Sequence, residues 1–144
     1  MRTVLVSACL LGVRCRYDGQ SRPRDDLQRK LRGSACVPIC PEQLGGLATP
    51  RPPQQLVGGD GNGVLDGTAR VVNECGEDVT ECFLLGAQEA LGLAGQRGAN
   101  VAYLKSKSPS CGCGLVRIDG EWRPGEGVTA ALLRRYGIRV HPVP

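Results

Sequence analysis

The residues best equipped for chemistry lie between Lys105 and Gly114, in K-S-K-S-P-S-C-G-C-G. Cys111 and Cys113 sit among Ser106, Ser108, Ser110, Lys105 and Lys107. Positive charge beside a thiol favours the thiolate, the form that binds metal or attacks an electrophile. Gly112 and Gly114 would let the backbone approach a bound group closely. A solvated turn is the alternative, since Gly, Pro and Ser dominate turns. The apolar run Val101 to Leu104 just before it predicts a buried strand, which Pro109 and the glycines end. Two more thiols share that placement. Cys9 follows the run Thr3 to Ser7, and Cys40 closes Ala35 to Cys40, a second strand despite Pro38. If these strands are parallel neighbours, Cys9, Cys40 and Cys111 meet at one sheet edge.

Three converging soft ligands suit several chemistries. Structural zinc usually draws on C-x-x-C pairs and closes a four-ligand shell; no such pair exists here, and the single histidine, His141, lies near the tail. An iron-sulfur cluster on three thiolates leaves one iron open to substrate. Thiol catalysis and inert buried cysteines remain alternatives, although no histidine lies in a site motif to deprotonate a nucleophilic thiol. There are eight cysteines, so compartment matters. Met1 to Leu11 holds one Arg and a short apolar run, far from a secretory signal, and nothing approaches the roughly 18 apolar residues of a membrane helix. The expectation is a cytoplasmic protein whose thiols stay reduced and serve as ligands or catalysts.

The elements that must position these residues can be read in outline. A chain of 144 residues predicts one domain, residues 1–144, with an aliphatic core, because aromatics make up 3%. The net charge of +4 is spread along the chain. It suits a small anionic or nucleobase-like ligand and lacks the concentrated basic face of a dedicated nucleic-acid binder. Leu27 and Leu31, between Asp25 and Gly33, predict a short helix. Residues 48–76 are rich in Pro and Gly and predict an inserted hairpin or flap, with G-D-G-N-G turning between Leu56-Val57 and Val64-Leu65. Val79, Phe83, Ala87, Ala90 and Ala94 mark the longest helix, ended by Gly98, whose apolar stripe must cover a sheet. A hairpin turning at Asp119-Gly120, a helix from Val128 to Tyr136 and a closing strand from Ile138 to His141 follow. Strand and helix alternate, which predicts an α/β fold with a mostly parallel sheet whose ligands bind beyond the carboxyl ends of the strands.

Several ordered motifs then coincide: V-S-A-C-L-L-G, C-R-Y-D-G, C-P-E-x-x-G-G-L, P-R-x-P, K-S-x-S-P-S-C-G and G-x-G-V-x-A-x-L-L-x-x-x-G-I. Together they span almost the whole chain and resemble the DUF523 family. Members of known activity are thiouracil desulfidases, small Rossmann-like three-layer enzymes carrying a 4Fe-4S cluster on three cysteines. The resemblance implies a cluster on Cys9, Cys40 and Cys111, with one open iron. It further implies Glu42 as the acid-base and Ser108 as its partner. The chain departs from the family at Gln54 and Gln55, where Glu is common, and Cys36, Cys75, Cys82 and Cys113 are its own. Cys15 belongs to a family motif without being one of the implied ligands; packing or turn structure is its expected role, with service as a substitute ligand the alternative.

What the resemblance implies is a non-redox removal of sulfur from a thiolated pyrimidine such as thiouracil, a small-molecule partner. The open iron would take the sulfur, Glu42 would activate water, and Ser108 would relay a proton or fix the ring. From another class, the rival is a non-enzymatic zinc or RNA-binding module with structural cysteines. Arg16 and Asp18 in C-R-Y-D-G are expected to pair across a turn rather than to join the site.

Overall fold

The computed structural model describes residues 2–144. From the amino end the chain forms β1 (Thr3–Ser7), a 3-10 turn (Ala8–Leu11), α1 (Asp25–Lys30), β2 (Ala35–Ile39) and α2 (Pro41–Leu44). Next come β3 (Gln54–Val57), α3 (Gly61–Asp66), β4 (Arg70–Asn73) and α4 (Thr80–Arg97). The remainder is β5 (Val101–Lys105), β6 (Cys113–Ile118), β7 (Glu121–Glu126), α5 (Val128–Arg135) and β8 (Arg139–Val143).

Two sheets result. The first has the order β2-β1-β5-β8 and is parallel throughout. Its central strands are apolar on both faces, as a sheet covered from both sides requires; Val4, Leu5 and Val6 are fully buried. Alternation sends Leu5 towards Ala90 and Ala94 of α4 and Leu133 of α5. It sends Val4 and Val6 towards Leu27 of α1 and the neighbouring Leu31. That makes three layers, the α/β architecture expected from the alternation of elements.

The second sheet has the order β4-β3-β6-β7, with β3 and β6 parallel and the outer pairs antiparallel. Helix α4 serves both sheets. Phe83 and Ala87 in its first half pack with Leu56 and Val116 of the second sheet, whereas Ala90 and Ala94 pack with Leu104 of the first. Gly98 ends the helix with φ 66°, and its N–H is donated to the Ala94 carbonyl.

Residues 48–76 depart in detail from the expected flap. Two strands do pair antiparallel, but they are Gln54–Val57 and Arg70–Asn73, and Val64 and Leu65 lie on α3 between them. The helix wins because Asp60 caps it, accepting from the N–H groups of Asn62 and Gly63 at 3.0 and 3.3 Å. The hairpin at Asp119-Gly120 forms as expected, both residues having positive φ, 51° and 82°. The closing strand is longer than its apolar pattern suggested, reaching Val143 in register with Lys105.

Candidate active site and metal centre

Because β2, β1 and β5 are consecutive in the parallel sheet, their carboxyl ends lie side by side, and each is followed by a cysteine. Cys9 is buried on the 3-10 turn after β1. Cys40 is the residue after β2 and stands at the N-cap of α2. Cys111 is buried in the loop after β5. All three line one cavity of about 450 Å³, together with Cys15, Glu42, Arg51, Lys105, Ser108 and Ser110. Cys36, Cys75, Cys82 and Cys113 do not line it. Cys113 instead accepts from Arg134 Nη2 at 2.8 Å.

The walls are fixed by backbone and side-chain hydrogen bonds. Ser7 Oγ accepts the Lys105 N–H at 2.9 Å, tying the ends of β1 and β5. The Cys111 loop is held by α5: the Pro109 carbonyl accepts from Val128 N and the Ser110 carbonyl from Thr129 N, at 2.9 and 2.8 Å. The loop therefore caps N–H groups that a helix start leaves unpaired. On the far side, α2 presses so closely on α4 that a Cβ at Gly45 or Gly86 would collide with the Cys82 or the Pro41 carbonyl. Those glycines permit the close approach of α2, which carries Glu42 and is capped by Cys40, to α4.

Cys15 lies among the other thiols and shapes their ionisation. Its hydrogen bond lowers the Cys40 thiol to about 7 and, with Arg16 and Lys105 also contributing, holds Cys9 below the usual thiol range. Cys15 itself is displaced far upward, because it bonds to both neighbours and is buried. Burial pushes Cys111 up to about 12. Lys105 is lowered by burial and then by Arg16.

Glu42, in the first turn of α2, is 8% exposed and held from two sides. Arg51 Nε donates to its Oε1 at 2.8 Å, and Ser110 Oγ donates to its Oε2 at 3.1 Å. Ser108 is one step further away: its Oγ is 3.0 Å from Ser110 Oγ and accepts the N–H groups of Ser110 and Cys111, both at 3.1 Å. Of these polar neighbours of Glu42, Ser110 stands in the loop that the sequence marks for chemistry, whereas Arg51 is visible there only as part of the motif P-R-x-P.

Two exposed aromatic side chains reach the cavity, Tyr17 at 40% and Trp122 at 50% exposure. Lys107 Nζ stands 5.7 Å from the Trp122 ring and the Arg16 guanidinium 5.8 Å from Tyr17. Arg16 also lies 3.7 Å from Asp18, the pairing across the turn expected of C-R-Y-D-G, and it lines the cavity as well. The site therefore joins a soft-metal donor set, a buried carboxylate with two donors, and aromatic surfaces able to hold a flat ring.

Among the described residues, no helix is long and apolar enough to cross a membrane. The chain is 44% identical over 140 residues to the uncharacterized protein YbbK of Bacillus subtilis (strain 168), covering 95% of this chain and 93% of that protein. It superimposes with a TM-score of 0.81 on the structure of the [4Fe-4S]-dependent thiouracil desulfidase TudS (DUF523Vcz), at 43% identity, covering 99% of this chain and 91% of that one. The model of the 2-thiouracil desulfurase family matches residues 4–142, and the chain belongs to that family, the DUF523 proteins.

Proposed function

We propose that this protein is an iron-sulfur-dependent desulfidase, which replaces the sulfur of a thiolated pyrimidine such as thiouracil with oxygen from water. The observation that carries the reading is the meeting of Cys9, Cys40 and Cys111 with the buried Glu42 on one cavity. Family membership and the likeness to TudS support it. The balance is C=S plus water giving C=O plus hydrogen sulfide. The carbon keeps its oxidation level, so no external electron donor is needed.

The donor set suits a 4Fe-4S cluster. Three thiols on separate elements line one cavity, the soft donors such a cluster takes. Lys105 and Arg16 lie near enough to bias Cys9 towards thiolate and offset the charge of three thiolates. Cys9, Cys40 and Cys111 would hold the cluster, which when bound would supply a soft Lewis acid for the substrate's sulfur.

The remaining work falls to side chains. Glu42 takes a proton from the attacking water; each carboxylate oxygen has a lone pair to spare beyond the bonds from Arg51 and Ser110. Ser108 assists through Ser110, as the next hydroxyl in the chain leading to Glu42. Tyr17 and Trp122 offer faces for the pyrimidine ring.

The test is anaerobic reconstitution followed by iron and sulfide counting and turnover of thiouracil. About four irons per chain, with sulfide released in step with the oxygenated base, is the expected result. Fully loaded protein that leaves thiouracil intact would overturn the activity, and a zinc-bound, iron-free protein would overturn the cofactor.

A further inference from the structure

Arg51 makes four polar contacts from a side chain that is 4% exposed. Nε donates to Glu42 Oε1 at 2.8 Å, and Nη2 donates to the Cys15 carbonyl at 2.9 Å. Nη1 donates to the Ala48 carbonyl and to Thr49 Oγ1, at 3.2 and 2.9 Å. The Cys15 carbonyl also accepts from Cys40 Sγ at 3.6 Å. One rigid, planar group thus grips the carboxylate of α2, the loop that carries Cys15, and its own Pro-rich segment.

A buried ion pair adds little stability over well-packed apolar side chains of the same volume, because desolvating the charges offsets their attraction. What the guanidinium supplies is placement. With Oε1 held by Arg51 and Oε2 by Ser110, the Glu42 carboxylate cannot turn about its last bond without breaking a charge-assisted hydrogen bond. Because the same guanidinium holds Cys15, the carboxylate cannot shift independently of the thiol loop. Lysine could pair with Glu42 but could not span these partners, since an ammonium is a point charge and not a fork.

We infer that Arg51 is the positioning residue of the reaction, fixing Glu42 relative to the thiols. The inference rests on the proposed desulfidase reading. The experiment compares reconstituted wild type, Arg51→Lys and Arg51→Ala. It measures iron per chain, the spectral change on adding thiouracil, and kcat and KM separately. Iron content and the spectral change should stay at wild-type levels and KM within about twofold, while kcat falls about 10-fold in Arg51→Lys and about 100-fold in Arg51→Ala, the size of effect misplacement of a reacting group produces. Added guanidinium should recover part of kcat in Arg51→Ala.

If Arg51→Ala fails to hold iron, the fully loaded Arg51→Lys decides, and a wild-type kcat there overturns the inference. So does a large rise in KM with kcat unchanged, which would make Arg51 a substrate-binding group. An active wild type with unaffected variants removes only the role of Arg51; a fully loaded but inactive wild type removes the function and the inference together.

Discussion

Ser110 stands between Ser108 and Glu42, its hydroxyl 3.0 Å from Ser108 Oγ and 3.1 Å from Glu42 Oε2. The donation to Glu42 comes from Ser110, while Ser108 accepts two backbone N–H groups of its own loop. If Ser108 acts through Ser110, removing either breaks the same chain. Ser110→Ala is expected to lower kcat about 10-fold or more, and Ser108→Ala combined with it should lower kcat little further, a non-additivity that a double-mutant cycle reads directly. Independent, additive losses would mean that the two hydroxyls work separately.

Ser108→Ala carries a second expectation, in stability. It leaves the N–H groups of Ser110 and Cys111 without their acceptor in a half-buried loop, at a cost of about 1–3 kcal/mol. Thermal unfolding of the apo-protein should show the loss, whereas Ser110→Ala, which removes no backbone partner, should unfold closer to wild type.

The cavity wall sorts the eight cysteines. Alanine at Cys9, Cys40 or Cys111 should abolish the cluster, since two protein thiolates hold one poorly, and alanine at Cys36, Cys75, Cys82 or Cys113, which do not line the cavity, should leave iron content unchanged. The informative pair is Cys111 and Cys113. Iron retained in Cys111→Ala and lost in Cys113→Ala would reverse the assignment within C-G-C-G.

The meeting of Cys9, Cys40 and Cys111 on one cavity is legible because a thiol just after an apolar β run is visible in sequence, and the parallel order of β2, β1 and β5 brings three such positions together. Glu42 and Ser108 needed the family resemblance, since an isolated Glu in a loop and one serine among several look like solvated residues. Arg51 was hidden for a different reason. Its partners Glu42 and Cys15 lie 9 and 36 positions earlier, and the Pro-rich stretch that brings it back has no periodicity to reveal which way it faces. Helix α3 is hidden for a local reason: G-D-G-N-G has turn composition, but Asp60 in it is a cap, and a Cβ on Gly61 would collide with Gly127.

The thiol ionisations give a pH test on the apo-protein. Cys40 is lowered to about 7 first of all by the Cys15 hydrogen bond, so alkylation of Cys40 should rise with a midpoint near pH 7. Cys111, pushed up to about 12 by burial, should resist until the protein is unfolded. In Cys15→Ala the Cys40 midpoint should move up towards the ordinary thiol value of 9.0. The sign for stability follows. A thiol that ionises more easily folded than unfolded stabilises the fold above the unfolded value and loses that contribution as pH falls through about 7. An unchanged Cys40 midpoint in Cys15→Ala, read by mass spectrometry of labelled peptides, would show that Cys15 is not its donor.

Two glycines of α4 should respond oppositely to the same substitution. Gly86 lies where α4 meets α2, and a Cβ there would run into the Pro41 carbonyl, a backbone atom that cannot rotate away. Gly92 is exposed on the same helix, with nothing within 4 Å of an added Cβ. Gly92→Ala should therefore stabilise the protein by about 0.5–1 kcal/mol, through reduced chain entropy in the unfolded state. Gly86→Ala should destabilise it by about 1–3 kcal/mol, because the two helices must separate. The separation also has a functional consequence, since Pro41 is flanked by Cys40 and Glu42. Pushing α2 outward carries a proposed ligand and the proposed base away from Cys9 and Cys111 together. Gly86→Ala should thus lose cluster and turnover in parallel, unlike Arg51→Lys, which should lose turnover alone. Chemical unfolding of both glycine variants, with iron counted on the same preparations, separates the two effects. A Gly86→Ala protein as stable and as iron-rich as wild type would show that the close approach of α2 to α4 does not set the height of the site.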